Sequence, residues 1–263
     1  MKIFCGLLLF FQTLALFSGE LRVVSLSPAL TELVCHLGRG DRLVGRSEVC
    51  NFPSEVKSLP VVGRFADPDV EAVIALKPTL LVTNDLVKPG VVAAFRRAGI
   101  QTAVLQCRTI AEYRSCVETL GKLLQAETAA GREIARIDRE SAARPSPLPC
   151  KVLWVIWDSP LMIAGANSLP DEMLRFAGVE NVAADVPQAY FKCSFDWLLE
   201  RQIDAIVWMA SPNGWKKHRF WKKLPAVQAN HILADLDPDL LQRPGPRIFD
   251  GLKMLRKRLE ALP

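Results

Sequence analysis

The sequence predicts an α/β protein of two lobes, each built on a mainly parallel sheet, joined by a single long rigid α-helix with a ligand cleft between the lobes. Three observations lead there. Short apolar runs alternate with amphipathic stretches, one long segment has helical spacing and no strand signal, and the two regions flanking it look like distant copies of each other.

Strands are expected at Arg22–Leu26, Arg42–Val44, Leu80–Thr83, Thr102–Leu105, Lys151–Trp157, Ala205–Met209 and His231–Ala234. These runs are rich in Val, Ile and Leu without polar alternation, as in strands covered on both faces. Helices are expected between them, at Ala29–Leu37, Val70–Leu76, Val91–Ala98, Ser168–Ala177, Phe195–Arg201 and Pro246–Leu259. Strand–helix alternation of this kind favours parallel sheets.

From Ile110 to Glu140 the rhythm changes. Apolar residues recur at Ile110, Tyr113, Val117, Leu120, Leu123 and Leu124, then at Ile134 and Ile137, with no proline among them. About 30 residues at 1.5 Å each predict a rod of roughly 45 Å. The Pro-rich loop after Arg144 would stop it. The chain thus divides into a leader (1–19), a first lobe (20–108), a linking helix (109–144) and a second lobe (150–263).

The lobes carry matching punctuation. Glu32 precedes Gly38 by six positions, and Glu172 precedes Gly178 by six. Glu71 lies nine positions before the strand starting at Leu80, and Asp196 nine before the one starting at Ala205. An internal pair of this sort points to a repeated unit, and the cleft between two such units is a preferred ligand site.

The first 19 residues read as a secretory signal. Lys2 supplies the positive end, Ile3 to Phe17 an apolar run of 15 residues, and Ser18-Gly19 a small-residue cleavage site near residues 18–20. That run falls short of the roughly 20 residues of a membrane-spanning helix, and Cys5 is misplaced for lipid attachment. The expected location is therefore outside the cytoplasm. Without the leader 32 basic and 28 acidic residues remain, a mild excess that specifies no partner and gives no reason to expect nucleic acid. The run Trp215-Lys-Lys-His-Arg-Phe-Trp-Lys-Lys223 is locally basic. It reads as a solvated face with its aromatics turned inward, although its composition would also suit phosphates or lipid headgroups. Six cysteines remain, at 35, 50, 107, 116, 150 and 193, either as disulfides or as free thiols.

Enzyme signatures are missing. The sequence has no Gly-x-Ser-x-Gly, no P-loop, no His-Glu-x-x-His and no Cys-x-x-Cys, and its three histidines are scattered. Neither a catalytic residue, nor a metal site, nor a catalytic cofactor is expected. Arg39-Gly40-Asp41 spells an adhesion tripeptide but sits where a turn is due anyway.

Particular segments carry a resemblance. Val23-Val-Ser-Leu-Ser-Pro-Ala-Leu-Thr-Glu32, Val44-Gly-Arg-Ser-Glu-Val-Cys-Asn-Phe-Pro53, Leu59-Pro-Val-Val-Gly63 and Val70-Glu-Ala-Val-Ile-Ala-Leu-Lys-Pro78 are similar to the first lobe of the substrate-binding proteins that serve ABC importers of cobalamin, haem and iron–siderophores. Gly165, Asp171, Gly178, Asn181 and Arg243-Pro-Gly-Pro-Arg247 continue the likeness through the second lobe, and the cobalamin branch is the most similar. The resemblance implies a monomeric, non-enzymatic carrier that takes vitamin B12 or a related corrinoid into its cleft. Haem or a ferric siderophore is the alternative ligand, and an extracellular enzyme a distant one. It also implies docking on an inner-membrane permease through one carboxylate per lobe, here Glu71 and Asp196. Its ligand-stacking tryptophans correspond to Phe65 and Tyr190. Trp157, Trp215 and Trp221 would extend the wall. Where the family has a further tyrosine, Val49 and Cys50 stand, and Cys50 would then approach a metal or another thiol.

Overall fold

The computed structural model describes residues 20–143 and 145–262, so the expected leader lies outside the described residues. The first lobe holds a four-stranded, all-parallel sheet of β1 (Val23–Ser25), β2 (Leu43–Arg46), β3 (Leu80–Thr83) and β4 (Gln101–Val104), in the order β2-β1-β3-β4. Val24, Leu81 and Val82 are fully buried, which explains why these strands read as unbroken apolar runs.

The second sheet is mixed. Its strands are β5 (Lys151–Asp158), β6 (Leu161–Ala164), β7 (Glu180–Asn181), β8 (Tyr190–Lys192), β9 (Ala205–Trp208) and β10 (Ile232–Leu233). The order is β8-β6-β5-β9-β10, with β7 alongside the start of β5. β5, β9 and β10 are parallel, whereas β6 turns back on β5 through Ser159-Pro160 and β8 runs antiparallel to β6.

The internal repeat is real in three dimensions. The helices Pro28–His36 and Leu169–Phe176 each end at a left-handed glycine, Gly38 (φ 74°) and Gly178 (φ 73°). Only glycine adopts that conformation without steric cost. In both lobes the strand after the carboxylate-bearing helix pairs in parallel with the first strand: Leu80 opposite Val23, Ala205 opposite Val152.

The single rod expected over 109–144 is corrected. Two helices, Ile110–Leu123 and Glu127–Ala142, fold against each other as an antiparallel hairpin. Arg114 pairs with Asp138 across it, and the Tyr113 hydroxyl donates to Glu133 at 2.6 Å. The break is a Schellman turn. The Ala126 N–H reaches Gly121 O (2.7 Å), the Gln125 N–H reaches Lys122 O (3.2 Å), and Gln125 sits at φ 52°. Gly121 permits the closure, because a Cβ there would lie 2.5 Å from the Ala130 Cβ. Arg39 caps the turn from outside, donating from Nε to Leu124 O at 2.8 Å. The adhesion-like tripeptide is therefore a structural brace.

The hairpin is nonetheless stiffly held. One continuous core joins Leu30 and Leu33 of the first lobe, Tyr113, Val117 and Leu120 of the hairpin, and Trp154, Met173 and Phe249 of the second lobe. Smaller clusters fill the outer layer of each lobe. Among the described residues no helix is long and apolar enough to cross a membrane.

A buried carboxylate fixes the hairpin to the first lobe. Glu133 accepts hydrogen bonds from Tyr113, from Arg136 and from His36 Nε2 (2.9 Å). Burial pushes this carboxyl up, but the bonds from His36, Arg136 and Tyr113 outweigh it and hold it at about 2. An unfolded glutamate titrates near 4.3, so this stabilisation is complete above that pH and is lost as pH falls towards 2. The difference is of order 3 kcal/mol. Thermal melts should therefore show the wild type losing stability between about pH 4.5 and 2, with a flatter profile for Glu133→Gln. Parallel profiles would remove Glu133 from the acid response.

Candidate functional site

A cleft of about 510 Å³ opens between the lobes. Its first wall is made by segments following the carboxyl ends of the first sheet: Ser27–Ala29 after β1, Val49 after β2, Asn84–Leu86 after β3 and Arg108 after β4. Ligands of parallel α/β sheets gather at that edge, where the strands stop and the loops diverge. The second wall comes from Leu169, Tyr190 and the Pro238–Pro244 region.

Phe65 and Tyr190 both line this cleft, one from each lobe. Phe65 lies at the tip of the ribbon Gly63–Arg64/Asp67–Pro68 and is 42% exposed. Tyr190 opens β8 at the sheet edge and is 47% exposed. Aromatic rings left open to water on a concave surface offer flat apolar area at little entropic cost. Burial pushes the Tyr190 phenol up, so its ionised form is disfavoured.

The charges of the cleft neutralise each other. Asp85 pairs with Arg108, and Asp239 with Arg243 at 2.6 Å. Arg243 is further committed to Asn51 and to Glu32. No histidine lines the cleft among the described residues.

Four residues expected at the wall lie elsewhere. Cys50 is completely buried, with its thiol 3.1 Å from Ser47 Oγ in the loop that Arg46 organises through the carbonyls of Ser47, Glu48 and Lys57. It reaches neither the cleft nor another thiol, and all six described cysteines are free. Trp215 packs edge-on against Trp208, and Trp221 is buried beside it, so both belong to the outer core of the second lobe. Trp157, the penultimate residue of β5, is exposed, its indole N–H on Ser159 O, and is not part of the cleft lining.

What holds the walls together carries no motif in the sequence. Glu32, buried in the first lobe, receives Arg247 of the second in a two-pronged contact (2.8 and 2.7 Å) and Arg243 at 3.2 Å. Asn51 bridges to Asp239 and Arg243, and the Arg247 guanidinium lies 3.8 Å over the Phe52 ring. The Cys-Asn-Phe-Pro segment and the Arg-Pro-Gly-Pro-Arg segment are thus two halves of one interlobe latch. Glu172 adds a second tie, accepting the Ile110 N–H at the start of the hairpin (2.8 Å).

Glu71 and Asp196 occupy equivalent places. Each lies exposed in the first turn of a short helix, Val70–Ala75 or Phe195–Leu199, capped by Asp69 or Ser194. Among the described residues neither carboxylate is in an ion pair. Three positions on, each helix exposes a large apolar side chain, Ile74 (41%) and Leu199 (48%). Residues three apart share a helix face, so each lobe presents an acid beside an apolar residue.

The fold and the interlobe cleft define a two-lobed carrier of a small molecule. The chain belongs to the periplasmic binding protein family, whose profile matches residues 23–240. It is similar to the vitamin B12-binding protein of Vibrio parahaemolyticus, with 26% identity over 99% of this chain and 98% of that one. It is also similar to YvrC, an uncharacterized ABC transporter substrate-binding lipoprotein of Bacillus subtilis, with 28% identity over 90% of this chain and 79% of that one. Among solved structures, the periplasmic haem-binding protein of Roseiflexus sp. RS-1 in apo form superposes with a TM-score of 0.82 at 26% identity, over 91% of this chain and 98% of that one.

The latch makes a direct prediction. Glu32→Leu leaves Arg243 and Arg247 without their shared carboxylate and should cost about 3–5 kcal/mol. Urea unfolding measures it, and a loss under about 1 kcal/mol would place the lobe attachment elsewhere.

Proposed function

We infer that this protein is the extracytoplasmic substrate-binding component of an ABC importer and that it carries a corrinoid such as vitamin B12 in the interlobe cleft. The observation carrying the ligand choice is the cleft itself: two open rings on opposite walls and charges that are already paired. A broad macrocycle with neutral amide edges suits such a surface, since the rings bury its flat faces. The family relationship and the B12-binding relative support the same reading.

Haem is the second reading. The haem-binding structural neighbour supports it, as do the Tyr190 hydroxyl and the exposed Arg64 beside Phe65. Against it, no histidine lines the cleft among the described residues to serve as an axial ligand. Titration calorimetry with cyanocobalamin, haemin and a ferric siderophore distinguishes them. Cyanocobalamin should bind, and Phe65→Ala or Tyr190→Ala should each weaken it by about 1–2 kcal/mol, near tenfold. Tight haemin binding with no response to cyanocobalamin would replace the corrinoid assignment.

Docking on the permease takes place through Glu71 and Asp196. Helix dipoles alone favour acids in a first turn, but they do not account for an apolar partner beside both. The double charge reversal Glu71→Lys/Asp196→Lys should abolish uptake into cells while leaving calorimetric ligand affinity unchanged. Ile74→Ser with Leu199→Ser should weaken capture by permease-containing membranes several-fold. Undiminished uptake by the charge-reversed protein would end the docking assignment.

A further inference from the structure

The second lobe carries a basic flank that neither the cleft nor the latch uses. Residues 205–234 contain five lysines and arginines and no aspartate or glutamate. All five (Lys216, Lys217, Arg219, Lys222 and Lys223) are exposed, and among the described residues none is in an ion pair. The aromatics between them point the other way, with Phe220 and Trp221 buried. The segment is pinned in place rather than free to adapt.

Its position gives it meaning. The Phe195 ring stacks on His218 (centroids 4.6 Å apart) and on Phe220 (4.1 Å), and Trp221 meets it edge-on at 6.0 Å. Phe195 is the residue before Asp196 and opens the same short helix. The segment that carries the five cations therefore packs against the helix that bears the second lobe's docking carboxylate. A face that meets a permease also meets the lipid around it, and acidic headgroups attract cations held within about 10 Å of the surface.

We propose that the Lys216–Lys223 flank is a membrane-surface contact, which binds acidic phospholipid headgroups electrostatically and without insertion, beside the Asp196 docking helix. Its orientation towards the membrane rests on the docking reading, but its affinity for acidic lipid does not. Phe220 and Trp221 are buried and Trp215 is held edge-on against Trp208, so the contact is read as charge alone. On this view Asp196 and the flank divide the work: the acid selects the permease, and the cations hold the protein near the bilayer that contains it.

Protein recovered after export is sedimented with vesicles of phosphatidylcholine alone or with about one-third phosphatidylglycerol. Binding is expected only to the acidic vesicles, falling as salt rises from about 0.05 M to about 0.5 M. Each cation is expected to contribute about fivefold. Replacing all five with glutamine should therefore reduce binding about a thousandfold or more, to background, while the thermal melt and calorimetric ligand affinity confirm the fold. Asp196→Lys should bind these permease-free vesicles no worse than wild type, which separates the lipid contact from permease docking. Equal binding to both vesicle types, or undiminished binding by the glutamine variant, would overturn the proposal. So would loss of binding to solubilised permease in that variant with no vesicle binding by the wild type, which would assign the flank to an acidic protein surface.

Discussion

Everything about the cleft depends on how the Glu32 carboxylate is held. It is buried in the first lobe and held by two guanidinium groups of the second. A buried ion pair is not in itself a large source of stability, because desolvation offsets much of the attraction. Its strength here is directional. Two-pronged Arg–carboxylate contacts fix angle as well as distance, and Arg247 also lies on the Phe52 ring while Arg243 is tied to Asn51 and Asp239. The same arginine that latches the lobes thereby neutralises a cleft aspartate. Lobe position and one of the two cleft ion pairs are set by one cluster.

The repeated unit gives both lobes the same resource and uses it differently. Glu32 and Glu172 occupy matching places before matching glycines. One is clamped by arginines; the other accepts a backbone N–H at the start of the hairpin. Two ties from equivalent positions, together with the continuous core, keep the lobes from moving as independent bodies. The hairpin performs the task foreseen for a single rod, with its own buried carboxylate, Glu133, as an additional anchor.

Most of this architecture was legible in the sequence because burial writes itself into composition. Strands β1, β3, β5 and β9 are covered on both faces and appear as apolar runs. The hairpin was not legible, because its turn uses Gln125 in the left-handed conformation, where sequence signals lead one to expect glycine or asparagine. Gly121, the residue that allows closure, lies inside the helix and does not look like a stop. β8 is the edge strand of the second sheet and β6 lies between it and β5, both held by pairings that no local pattern announces. For the site, Phe65 and Tyr190 came from resemblance and do line the cleft. Cys50 and Trp221 are buried instead and Trp215 is half-buried against Trp208, since burial of a tryptophan or a thiol depends on packing partners far away in the chain. Glu32, Asn51, Arg243 and Arg247 were visible as residues, but their meeting across roughly 200 positions was not.

Glu71 and Asp196 sit on short helices, one in each lobe, and each helix leads into a strand of its own sheet. The distance between the two acids is therefore a caliper reading of lobe separation. A receptor with two fixed counter-charges accepts one reading and rejects others. With the lobes latched through Glu32, that reading is set largely before any cargo arrives. Such a receptor would recognise the carrier as correctly assembled, and would need some other cue, at the cleft mouth, to tell a loaded carrier from an empty one.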